Sequence, residues 1–61
     1  MKLNAWSYLG DGVYAKPDPH GVWLHANSHN DPTDRVYLEL FVLEDFIRGI
    51  KEVYNVDLSE L

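Results

Sequence analysis

The segment His25-Ala26-Asn27-Ser28-His29-Asn30-Asp31-Pro32-Thr33-Asp34 holds the densest set of side chains able to do chemistry, two imidazoles and two carboxylates within ten residues. Such a set could ligate a cation, or pair His29 as a base with Asp31 or Asp34. Its spacing matches neither a zinc site nor a calcium loop, which needs a central glycine and a distal glutamate. Asn, Asp, Ser and Pro are the residues expected in any long β-connection, because their side chains bond the local backbone. The segment therefore reads as a solvated loop, with metal ligation and partner contact as competing readings. His20, between Pro19 and Gly21, reads as a turn residue. Ser7, Ser28 and Ser59 lie in no nucleophile context, and no nucleophile elbow, glycine-rich phosphate loop or HExxH is present. A chain this short would also struggle to exclude water around a reacting pair. The expectation is a non-catalytic protein with no cofactor and no metal.

Composition narrows the partners. Ten acidic residues against five basic ones give a net charge of −5, the wrong sign for neutralising phosphates, which argues against direct nucleic-acid binding. Uncharged, mainly apolar runs such as Leu3 to Gly10 and Leu40 to Leu43 fall far short of the ~20 residues that span a bilayer. No signal-peptide pattern opens the chain, so a soluble, cytoplasmic protein is expected. Apolar residues make up 46% of the sequence and aromatic ones 13%, too many for persistent disorder.

Residues 1–61 make one small domain, and a chain of this length buries only about 60% of its unfolded surface. A core of that size supplies roughly 3 to 5 kcal/mol unless a disulfide, metal or partner subunit adds to it. There is no cysteine. Self-association is the remaining remedy, a homo-oligomer and most simply a dimer.

The elements that must position these residues follow from periodicity. Leu3 to Leu9 alternates, with Trp6 and Tyr8 opposite Ala5, Ser7 and Leu9, and predicts a first strand. Gly10-Asp11-Gly12 is a hairpin turn, since an Asp-Gly pair between alternating segments is the strongest short-range hairpin signal. The hairpin spans residues 5 to 16, with Val13 and Ala15 facing away from Tyr14 and Lys16. Lys16 to Gly21 holds two prolines and a glycine and must turn. Gly21 to Ala26 alternates again, Val22, Leu24 and Ala26 against Trp23 and His25. Arg35 to Glu39 sets Val36 and Leu38 against Tyr37 and Glu39.

From Leu40 the period changes to 3.6. Leu43, Phe46, Ile47, Ile50, Val53 and Tyr54 form one stripe opposite Glu44, Asp45, Arg48 and Glu52, with Asn55 as the stop. Residues 56–61 have no usable period and are left as an end that frays or docks. The fold class is α+β, a four-stranded antiparallel meander followed by one C-terminal amphipathic helix. That helix should cover the aliphatic face of Val22, Leu24, Val36 and Leu38.

Trp23, His25 and Tyr37 then share the opposite face. They are either cross-strand partners that stabilise the sheet, an interface for a second copy or a host protein, or a stacking platform for a nucleotide. Leu40 and Phe41 are the other candidates. Phe41 projects near the charged side of the helix, so either the helix starts one residue later and Phe41 tucks under the sheet, or Phe41 is an exposed anchor.

The residues YLGDGVYA at 8–15, Trp23-Leu24, the Asn/Asp/His loop and RVYLE at 35–39 resemble a group of very small uncharacterised bacteriophage-encoded proteins, over about residues 6 to 54. In that group the strand-to-helix junction reads L-E-P-E-V, where Pro suits a first helical turn; here it is Leu38-Glu39-Leu40-Phe41-Val42. The resemblance implies a phage protein acting in a host cell. With the small size it implies a binder that modulates or inhibits a host protein, counter-defence being the natural role. The alternative is an oligomer that sequesters a nucleotide signal.

Overall fold

In a computed structural model that describes residues 1–55, the chain is a ββββα unit. It consists of β1 (Ser7–Gly10), β2 (Val13–Asp18), β3 (Gly21–Ala26), β4 (Asp34–Glu39) and α1 (Leu40–Tyr54). The strands form one antiparallel sheet in chain order, as the alternation predicts. The end proposed to fray or dock, 56–61, lies outside the described residues.

The first hairpin closes on a type I′ turn, for which φ must be positive at both central residues, here Asp11 (54°) and Gly12 (80°). Gly10 also has φ of 114°, and the register shifts between Tyr8 and Gly10, so a bulge at Leu9 tightens the hairpin. Two boundaries differ from the periodicity reading. The first strand begins at Ser7 and not Leu3, because Asn4 is left-handed (φ 58°) and the Ala5 N–H turns back to the Lys2 carbonyl at 3.3 Å.

The second strand continues through Pro17 to Asp18 rather than turning at Lys16. The Pro17 carbonyl accepts the Asn4 N–H at 2.6 Å, so that edge of Pro17 faces the β1 side at a level where β1 has not begun. No ladder donor is lost there, and the proline is tolerated.

α1 starts at Leu40, immediately after β4, which places Phe41 inside the helix and 68% exposed, not under the sheet. Its first N–H donates to the His20 carbonyl at 3.1 Å, tying the helix start to the β2–β3 turn. Asn55, left-handed at φ 53°, ends it by donating its N–H to the Lys51 carbonyl. The helix approaches β4 and β3 on the aliphatic side, as expected.

Coverage is nevertheless thin. No residue of α1 is buried, and Ala15, at 1% exposure, is the one buried hydrophobic among the described residues.

Candidate functional site

Cross-strand register fixes what each face carries. Tyr8, Tyr14, His25 and Arg35 form one row of the second face, and Lys16, Trp23 and Tyr37 the next. Trp6, just ahead of β1, joins this face and packs against His25 with centroids 4.3 Å apart and the rings inclined at 45°. The layer continues from Trp23 to Tyr37 and from Tyr8 to Tyr14, each at 4.9 Å. Lys16 lays its Nζ 5.2 Å from the Trp6 ring centre, within cation–π range. His29 bridges Trp6 and Tyr14 at 5.9 and 5.7 Å.

The loop containing His29 is fastened through several polar groups. The His25 Nδ1–H donates to the His29 carbonyl at 2.8 Å, and the Asn27 amide to the Thr33 hydroxyl at 2.7 Å. Asn27 is left-handed, and its N–H reaches the Gly12 carbonyl at 2.6 Å. Among the described residues no three His, Asp or Glu side chains converge on a point that could hold a metal ion.

One carboxylate organises the far end of the same face. Asp18 Oδ1 accepts the His20 N–H (2.8 Å), the Gly21 N–H (2.9 Å) and the Tyr37 hydroxyl (2.8 Å). The His20 bond, then that of Tyr37, holds the carboxyl below its ordinary 3.8. Partial burial, then the bond to Asp18, raises the Tyr37 phenol above 10.0. Gly21 beneath them admits no side chain, since a Cβ there would meet the Tyr37 hydroxyl at 2.8 Å and collide with the Leu38 carbonyl. The Asp-Pro-x-Gly pattern was legible as a turn; its tie to Tyr37 depends on strand register and was not.

Trp23, His25 and Tyr37 are thus brought together, Trp23 directly opposite Tyr37. Leu40 and Phe41, in the first turn of α1, are both exposed and belong to neither row of that face.

The aliphatic side holds a concave feature walled by both helix and sheet. An open cleft of about 450 Å³ separates the N-terminal half of α1, at Leu43, Phe46 and Ile47, from Leu9, Val13 and Ala15 on the sheet. Every residue lining it is apolar. A shallower depression of about 170 Å³ shares Val13 and Leu24 with it and runs on to Ala26 and Val36. Sequence reasoning put Phe46 and Ile47 in the core, whereas both remain exposed.

The missed signal was width. Four strands at ~4.8 Å spacing make a face about 19 Å across, and one helix of roughly 10 Å covers about half of it.

No family model, curated protein or solved structure gives a significant match to the chain.

Proposed function

We propose that this chain is a non-catalytic interaction protein, of phage type, that acts in the host cytoplasm as a homo-oligomer and binds and modulates a host protein. The observation that carries the reading is the apolar surface left bare on the helix side: Leu9, Val36, Leu40, Phe41, Phe46 and Val53 are all exposed. Exposed apolar side chains gathered in this way mark interaction surfaces; at ~100° per residue Phe41 stands apart from the others, among the charged residues of α1. The resemblance of residues 8–15 and 35–39 to small phage proteins supports the host setting.

The test is capture of a partner by the tagged chain from infected cells, followed by titration of the purified chain into that partner's own assay. Inhibition that saturates stoichiometrically and is lost in Phe41→Glu or Trp23→Ala supports the reading. A partner that binds both variants as well as the parent would sink the assignment of these surfaces.

The nucleotide-sequestering alternative draws on the ring layer of Trp6, His25, Trp23 and Tyr37. It has less support, because those rings are engaged with one another and offer few open faces. A thermal-shift screen with cyclic and linear nucleotides decides it, since a ligand of the folded state raises the melting temperature.

A further inference from the structure

We infer that the outer edge of β4 pairs antiparallel with β4 of a second copy of this chain, Tyr37 opposite Tyr37 about a two-fold axis, to give one continuous sheet. This joint rests on the homo-oligomer reading above and places the contact between copies at the sheet edge. The apolar surface beside α1 is thereby left to the host partner.

The strand order leaves two edges, and they are unlike. β1 has four residues, a bulge at Leu9 and a glycine at its end, features that keep an edge from adding strands. β4 has six residues, pairs with β3 without a break, and contains no Pro, Gly or Lys. α1 turns inward over the sheet, where Leu43, Phe46 and Ile47 line a cleft with Leu9, Val13 and Ala15, so the outer side of β4 stays open.

The ladder fixes which backbone groups that edge offers. Glu39 stands opposite Gly21, and the Leu40 N–H continues the register by donating to the His20 carbonyl at 3.1 Å. Bonds of an antiparallel pair fall on alternate residues. The even-numbered residues of β4 therefore bond to β3, and the odd-numbered ones turn their N–H and C=O groups outward. Arg35 and Tyr37 offer both groups; Glu39, the residue before the helix, offers its N–H, since its C=O starts the helical ladder.

Charge selects the register. Keeping each face of the sheet continuous requires odd residues opposite odd ones. With Tyr37 opposite Tyr37, Arg35 of each copy stands opposite Glu39 of the other, and Val36 stands opposite Leu38. Tyr37 exchanges both backbone bonds with its counterpart, and each Glu39 N–H meets an Arg35 C=O. A slip of two residues sets Arg35 against Tyr37 and Asp34 against Leu38 in one direction, or Glu39 against Tyr37 in the other. Both slips leave the opposite charges unmatched. Arg35 and Glu39 are exposed, and neither forms an ion pair within the described residues. Charges on an edge normally deter added strands; this pair deters any strand except one that sets opposite charges against them.

The two-fold axis runs normal to the sheet, so like faces join. Aliphatic side chains meet aliphatic ones, both helices lie on one side, and the Trp23–Tyr37 ring row, with centroids 4.9 Å apart, continues through the axis.

The experiment is sedimentation equilibrium of the full chain from micromolar to millimolar concentration. The parent should reach twice the 7.1 kDa chain mass. Arg35→Glu and Glu39→Arg each set like charges against one another at both ends of the joint, and each should weaken the dimer about 10-fold or more. An equimolar mixture of the two variants restores opposite charges at both ends and should dimerise as tightly as the parent. Far-UV circular dichroism on the same samples detects a variant that loses its fold, and amide hydrogen exchange of the parent then carries the test. With rising concentration the amides of Tyr37 and Glu39 should gain protection.

A monomeric parent overturns both the joint and the oligomer reading beneath it. A dimer that ignores both charge reversals, or variants that mixing does not restore, overturn the β4 joint while the oligomer reading stands. Protection gained at Arg35 and Tyr37 without Glu39 overturns the register.

Discussion

One sheet presents two faces, and their large side chains find neighbours in different ways. On the aromatic face Trp6, Tyr14, His25 and Tyr37 are half-buried although no helix covers them, because the rings lie against one another and under the Lys16 stem. On the aliphatic face a whole helix is present, yet Phe46 and Val36 remain more than half exposed. Flat rings on adjacent strands reach each other sideways across the ladder. Branched aliphatic side chains are too short for that and need an opposing layer. The face that looks bare in the topology closes on itself around Trp6, Tyr14, His25 and Tyr37, with Tyr8 and Trp23 left exposed, and the face with a helix on it is also unfinished.

That contrast can be broken in four places. The largest effect is expected from Gly21→Ala, which forces a methyl group into Tyr37 and the Leu38 carbonyl. A loss of about 3 kcal/mol in urea unfolding, the upper part of the usual overpacking range, is the expected outcome.

Next comes a paired truncation. Trp6→Ala should cost about 2 kcal/mol, less than a fully buried ring because Trp6 is half-buried, and that cost should not vary with protein concentration. Phe46→Ala should cost under about 1 kcal/mol. Equal costs would erase the distinction between the faces.

A smaller effect comes from the Asp18–Tyr37 bond, followed as urea midpoint against pH. Asp18 titrates below its unfolded value of 3.8, so its contribution is present above that pH and disappears as pH falls through the lower folded value. Tyr37 titrates above 10.0, so its contribution is complete below that pH and disappears as pH rises past it. Tyr37→Phe should abolish the Tyr37 share of the alkaline loss and shrink the acid one; an unchanged profile would remove this bond from the account. Smallest of all is Phe41→Glu, which should shift stability by no more than about 0.5 kcal/mol while abolishing partner capture.

The local code carried most of the architecture. Strand β3 and the limits of α1 follow directly from alternation, the change of period at Leu40 and the left-handed stop at Asn55. The Asp11-Gly12 turn was equally plain, because few residue pairs accept positive φ twice in succession. The early strand boundary failed where backbone outweighed pattern. Leu3 to Leu9 alternates well, yet Asn4 adopts a conformation that no strand permits.

Pro17 failed in the opposite sense. A proline reads as a strand end unless one knows that β1 does not reach its level. The joining of Trp23, His25 and Tyr37 was legible from parity alone. The cleft was not, since no local pattern states how much of a four-stranded face one helix can reach.

The strand order has a kinetic corollary. Each strand pairs with its neighbour in the chain, through two-residue turns at Asp11-Gly12 and Pro19-His20 and one seven-residue connection at 27–33. Short loop closures cost little entropy, and predominantly local pairings fold fast. In the proposed homo-oligomer, association between copies would be second order and would wait for an encounter. Refolding should therefore separate into a phase whose rate ignores dilution, in which the sheet forms, and a later one whose rate falls with it.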